Sequence, residues 1–130
     1  VIPALLLTVI LTLLAVFQIA LAAGAPWGRF AWGGQHRVLP RNLRIGSVIA
    51  VVIYAVTAFI AWERVGASTV LPVPFVQVAM WVLFAYFALG IVMNAISRSK
   101  PERYTMTPVV AVLAVLSLLI AMGVGSVSSG

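Results

Sequence analysis

The chain contains no cysteine. That excludes disulfides, thiolate metal sites and thiol redox chemistry, and it leaves the redox state of the compartment open. Charge is almost as scarce. Only 8% of the 130 residues are Asp, Glu, Lys or Arg, against about 25% in a soluble domain, so polar side chains cannot clothe this chain as a water-soluble globule. Carboxylates number two, Glu63 and Glu102. Neither lies within a long apolar run, which argues against an ion-coupled transporter, because such proteins place an ionisable group in a span. Histidine occurs once, as His36. With no orienting carboxylate and no ligand set beside it, neither a metal nor another cofactor is expected.

What the chain has in abundance is apolar length. Hydrophobic residues make up 64% and the mean hydropathy is +1.20. A membrane-crossing helix needs about 20 mostly apolar residues. Four runs qualify: about Ala4–Ala23, Leu43–Trp62, Phe75–Ile96 and Pro108–Val124. Barrel strands would be half as long and would alternate, which these runs do not. The expected fold is therefore all-α: a polytopic membrane protein forming a single transmembrane domain over residues 1–130, with four helices packed up-down-up-down. The first run has no positive charge before it and exceeds the apolar core of a cleaved leader, so it reads as a retained helix.

Punctuation places the ends. Pro3, Pro74 and Pro108 suit first helical turns. Asn42 and Thr107 are candidate N-caps, and Gly123 and Gly125 close the fourth helix. The tail Ser126–Gly130 is small and polar and is expected to be mobile.

The eight basic residues are unevenly placed. Arg29, Arg37, Arg41 and Arg44 fall in or at the end of the first loop (residues 24–42), and Arg98, Lys100 and Arg103 in the third (97–107). Only Arg64, beside Glu63, is elsewhere. Seven of eight thus share one face, which the charge-bias rule makes cytoplasmic, with both termini outside. The +6 net charge serves orientation on this reading, and nucleic acid is not an expected partner.

Small and polar residues, rather than apolar ones, mark helix contacts in lipid. Each run has such a stripe: Thr8, Thr12, Ala15, Gln18 and Ala22; Gly46, Ala50, Tyr54 and Ala58; Tyr86, Gly90, Asn94 and Ser97; Ala114, Ser117, Ala121 and Gly125. All four are expected to face a common axis. Tyr54, Tyr86, Gln18 and Asn94 then form a polar column from the midplane to the basic face. An unpaired amide or hydroxyl costs roughly 2–7 kcal/mol in hydrocarbon, so these groups either bond one another as helix glue or line a small pocket.

The first loop is neither apolar enough to span nor polar enough to dangle. Trp27, Phe30 and Trp32 interleave with Arg29 and Arg37, and Gly24, Gly28, Gly33 and Gly34 permit tight bends. Tryptophan favours the headgroup zone, and guanidinium forks hold phosphate or carboxylate. The loop is therefore either an interfacial cover or, with Gln35, His36, Gln18, Asn94 and Arg98, a site for an anionic or carbonyl-bearing amphiphile.

Known four-helix types fit poorly. Fluoride channels carry a threonine–phenylalanine-rich motif that is missing, thiol-oxidising enzymes need cysteine pairs, and glutathione-using membrane enzymes carry more acidic and arginine motifs than Glu63-Arg64. The segments GAPWGRFAWGGQHRVLP and NAISRSKPER, however, resemble a group of small four-helix integral membrane proteins of high-GC Gram-positive bacteria, over most of the chain from Gly24 onward. The resemblance implies a bacterial plasma membrane location. No established activity attaches to that group, so it transfers no functional residue.

Three functions follow in order. The first is a non-enzymatic membrane protein that binds a lipid or other amphiphile, or a second membrane protein or copy of itself, at its basic, aromatic face. The second is a channel or transporter for a small neutral or anionic solute along the polar column. The third is an enzyme with His36 as acid or base.

Overall fold

The computed structural model describes residues 1–67 and 69–126 and is all-helical over them; the expected mobile tail falls mostly beyond, at 127–130. Four long helices account for most of the chain: α1 (Ile2–Ala22), α2 (Arg41–Arg64), α3 (Val73–Ala95) and α4 (Lys100–Ala121). Their lengths of 21 to 24 residues correspond to about 31–36 Å at 1.5 Å per residue, enough to cross a hydrocarbon core of about 30 Å. All four are apolar enough to do so.

The helices stand in a ring. Neighbours in sequence pack against each other, α1 closes the ring against α4, and α2 meets α4 across the centre. The α1–α2 and α3–α4 seams are the most extensive; α2–α3 and α4–α1 are thinner. The buried core is built by Leu7 and Leu11 of α1, Ile60 and Ala61 of α2, Val76, Met80 and Phe87 of α3, and Leu113, Ile120 and Ala121 of α4. A smaller cluster of Leu21, Ala31 and Leu39 lies at the basic end.

Two helix starts depart from the residues expected to mark them. Helix α2 starts at Arg41, after Pro40, so Asn42 is inside the helix and caps nothing. Helix α4 starts eight residues before Pro108. Its N-cap is Ser99, whose Oγ accepts from the Glu102 N–H at 3.5 Å, and Pro101 occupies the first turn. Ser99-Lys100-Pro101-Glu102 has the serine and glutamate spacing of a capping box. Pro108 is thus inside α4, where it has no N–H to offer the carbonyl of Tyr104. The third loop, expected over 97–107, shrinks to the short turn before Lys100. At the other end α4 stops at Ala121, with Gly123 at φ 91°. The turn there places Gly123 N–H on Ile120 O and Val124 N–H on Leu119 O, a pattern that needs a left-handed residue.

The small-residue rule holds on α4, where Ala114, Ser117 and Ala121 are buried. On α1 and α3 it holds only in part: Thr8 and Gln18 meet α2, Gly90 lies against Val110 of α4, and Ser97 is buried. Thr12 is exposed, Tyr86 is 45% exposed, and leucine, methionine and phenylalanine face the centre instead. Three polar groups at the end away from the basic loop are used locally. Trp62 Nε1 donates to Thr8 Oγ1 at 2.9 Å, tying α2 to α1, while the Arg64 guanidinium donates to Ala121 O at 3.0 Å, tying α2 to α4. Glu63, buried, accepts from the N–H groups of Val70 and Leu71 at 2.9 Å each and so holds the second loop.

Candidate functional site

The first loop folds into two 3₁₀ turns, Gly28–Phe30 and Trp32–Gly34, separated by extended Ala31. It is pinched shut at its base: Gly28 N–H donates to Arg37 O at 2.8 Å, and the carbonyls of His36 and Arg37 sit so close to Gly28 that no side chain fits there. Trp32 has a φ of 52°, a conformation that costs a bulky residue about 1–3 kcal/mol. Two contacts offset this strain. Its Nε1 donates to the buried Ser47 Oγ at 3.2 Å, and its ring lies on Gly46, where any added Cβ would come within 2.8 Å of the indole.

The same loop is fastened to the first turn of α4. Ser99 Oγ donates to Arg29 O, and Gly33 N–H reaches the Glu102 carboxylate at 3.5 Å. Gly34, at φ 71°, lies directly against Ser99. Glu102 is buried, and in the first turn of α4 its charge also complements the helix dipole. Arg44 Nε donates to Leu39 O at 2.8 Å and holds the descending end of the loop. Loop one is therefore a strap stitched to α2 on one side and to α4 on the other.

Beneath the strap lies an aromatic shelf. Trp27 stacks in parallel with Phe17 of α1, ring centroids 6.5 Å apart. The Arg29 guanidinium lies 5.5 Å from the Phe30 ring centroid. Phe17, Trp27 and Phe30, with Thr105 and Met106 of α4, line a cavity of about 280 Å³. A larger cavity of about 460 Å³ adjoins it in the thin α1–α4 seam. Ile10, Leu13, Leu14 and Phe17 form one wall, and Thr105, Met106, Pro108, Val109 and Val112 the other. Phe17, Thr105 and Met106 border both cavities. The result is a groove with apolar walls that ends under a basic, aromatic cover.

No protein family, curated protein or solved structure matches this chain. Function must therefore be argued from the site alone.

Of the residues singled out from sequence, Trp27 lines the smaller cavity, and Arg29 lies 5.5 Å from the ring of Phe30, which also lines it. Trp32 turns away from it, toward α2. Gln35, His36 and Arg37 are exposed on the strap, and Arg98 is exposed beyond the end of α3. Gln18 and Tyr54 do meet, with Gln18 Nε2 donating to the tyrosine hydroxyl at 3.4 Å; the Gln18 Oε1 is buried without a partner. Asn94 bonds back to Gly90 O of its own helix at 2.8 Å. Tyr86 is edge-on to Phe87, with centroids 5.2 Å apart. Of the four groups expected to form one column, Gln18 and Tyr54 thus pair across α1 and α2, whereas Asn94 and Tyr86 are engaged within α3. Among the described residues no group of three or more His, Asp or Glu is placed to hold a metal ion.

The groove walls were not legible beforehand. With α4 taken to start at Pro108, Thr105 and Met106 fall in a loop. The capping box at Ser99 is the signal that would have put them on a helix facing α1.

Proposed function

We propose that this is a non-enzymatic membrane protein that holds an amphiphile at its basic, aromatic end, with the apolar part of the ligand in the α1–α4 groove. The observation that carries the reading is the continuity of the two cavities, which share Phe17, Thr105 and Met106 and end beside Arg29. Lipid-head sites of this type form between helices where basic side chains meet the cytoplasmic boundary. Ligand pockets commonly measure about 300–1,000 Å³ and are mostly apolar with a few placed polar groups; the larger cavity, at about 460 Å³, falls in that range.

The membrane we assign is the bacterial plasma membrane, with the strap and the start of α4 on the cytoplasmic side and both ends of the chain outside. The sidedness is supported by the clustering of seven of the eight basic residues at one end, and the bacterial membrane by the resemblance of the first and third loops described above.

Native mass spectrometry of protein extracted in a mild detergent tests the reading. A discrete bound mass is expected, and it should be lost when Trp27 and Arg29 are both replaced by alanine. A bare chain, or a bound mass indifferent to those two changes, would overturn it. A chain recovered only with a second membrane protein would move the search to that partner.

A further inference from the structure

We infer that the groove takes a single-chain lipid carrying one negative charge, a free fatty acid, in preference to a two-chain phospholipid. The inference rests on the reading above and specifies its ligand.

Size comes first. The larger cavity of about 460 Å³ is roughly three times the ~150 Å³ cavity that accommodates one benzene. That scaling gives room for about 18 carbon atoms, one acyl chain and not two. Its shape agrees. Ile10 and Phe17 on one wall, and Val112 and Thr105 on the other, are each seven residues apart, about 10.5 Å along the helices. The space is an elongated slot, with no ionisable side chain in its lining.

Charge comes second. Next to the smaller cavity, the Arg29 guanidinium is exposed and lies 5.5 Å from the centroid of the Phe30 ring. Two of the other cations at this end are engaged elsewhere. Arg44 donates to Leu39 O, while Arg103 donates to Ser97 O at 3.3 Å and lies over the Tyr104 ring. One guanidinium fork matches one carboxylate through two parallel charge-assisted bonds. A bulkier head bearing a second chain would leave that chain in the bilayer and place its glycerol against the Trp27 and Phe30 cover.

The test uses the full chain in phosphatidylcholine nanodiscs with graded amounts of palmitate, hexadecanol or phosphatidylglycerol, read by native mass spectrometry and by quenching with a brominated palmitate. The expected result is one palmitate per chain, retained at least tenfold more strongly than hexadecanol. Arg29→Ala should reduce that preference to near unity, and Val109→Trp, which fills the slot, should reduce palmitate occupancy at least tenfold. The comparison of palmitate with hexadecanol needs no variant, so a misfolded Val109→Trp protein leaves the test intact. Phosphatidylglycerol that displaces palmitate at equal mole fraction, in a manner dependent on Arg29, would overturn the single-chain inference and leave the amphiphile site standing. Occupancy by every probe that ignores both Arg29 and Val109 would overturn both.

Discussion

Replacing Gly34 by alanine should release the strap from α4, and replacing Gly33 should not. Both glycines are left-handed, at φ 71° and 77°, so each alanine suffers a similar backbone strain of about 1–2 kcal/mol. Their surroundings differ. Nothing lies within 4 Å of a Cβ added at Gly33, whereas one added at Gly34 would come within 2.6 Å of Ser99 Oγ. Ser99 has two duties there. Its hydroxyl donates to Arg29 O, a bond worth about 0.5–1.5 kcal/mol net, and it caps α4, typically worth about 1 kcal/mol. Displacing it should therefore cost Gly34→Ala about 1–3 kcal/mol more than Gly33→Ala, which is roughly 5–150-fold in the opening equilibrium of the strap. Hydrogen exchange in nanodiscs reads this directly at the amides of Gly28 and residue 34, which are bonded to Arg37 O and Ala31 O. Both should exchange faster by that factor in Gly34→Ala than in Gly33→Ala, while amides in the middle of α3 keep their rates. Equal exchange in the two variants would refute the docking of the strap on Ser99.

Three further outcomes are expected. Trp62→Phe removes the bond to Thr8 and should lower stability in an SDS unfolding titration by about 0.6–2 kcal/mol; Thr8→Val should cost no more once Trp62 is gone, and full additivity of the pair would count against the contact. Glu63→Ala leaves the Val70 and Leu71 N–H groups without their carboxylate, at about 1–3 kcal/mol, so exchange at these two amides should rise at least fivefold; unchanged protection would show that the carboxylate does not hold the second loop. Pro108→Ala restores an N–H to α4 and should raise its unfolding free energy in the same titration, by up to about 3 kcal/mol; a lowered value would mean that the proline shapes the α1–α4 seam in a way the helix depends on.

The sequence disclosed the helices readily and the site poorly, for different reasons. Existence of a span depends on a long stretch without charge, which is a local property, and all four stretches became helices. The start of α4 depended on choosing between two local signals, a proline at 108 and a capping serine at 99. Proline is tolerated inside a membrane helix because neighbouring helices and nearby hydroxyls supply substitutes for the lost bond, so Pro108 was the weaker marker. Parts of α1 and α3 escaped the small-residue rule because leucine, methionine and phenylalanine of these two helices fill the centre of the ring. The fate of the polar column was a matter of partners. Whether Asn94 reaches across to another helix or back to Gly90 depends on rotamers and depth, and no spacing encodes that. Trp27 and Arg29 were identifiable because aromatic and basic residues interleaved in a glycine-rich loop are rare outside an interface; the apolar walls that they cover look like any lipid-facing residues until α1 and α4 are laid side by side.

Four rods joined at their corners make a frame that shears from a square to a rhombus unless a tie crosses it. Here the tie is present at both ends and on the same diagonal. At the basic end the strap joins Ser47 of α2 to Ser99 and Glu102 of α4; at the opposite end Arg64 of α2 grips Ala121 of α4. A frame braced in this way cannot shear while its sides hold, and the struts do this without lining the slot. Among the described residues the α1–α4 side carries no strut of its own beside the slot, so it is the side of the frame left free to widen or narrow around a ligand.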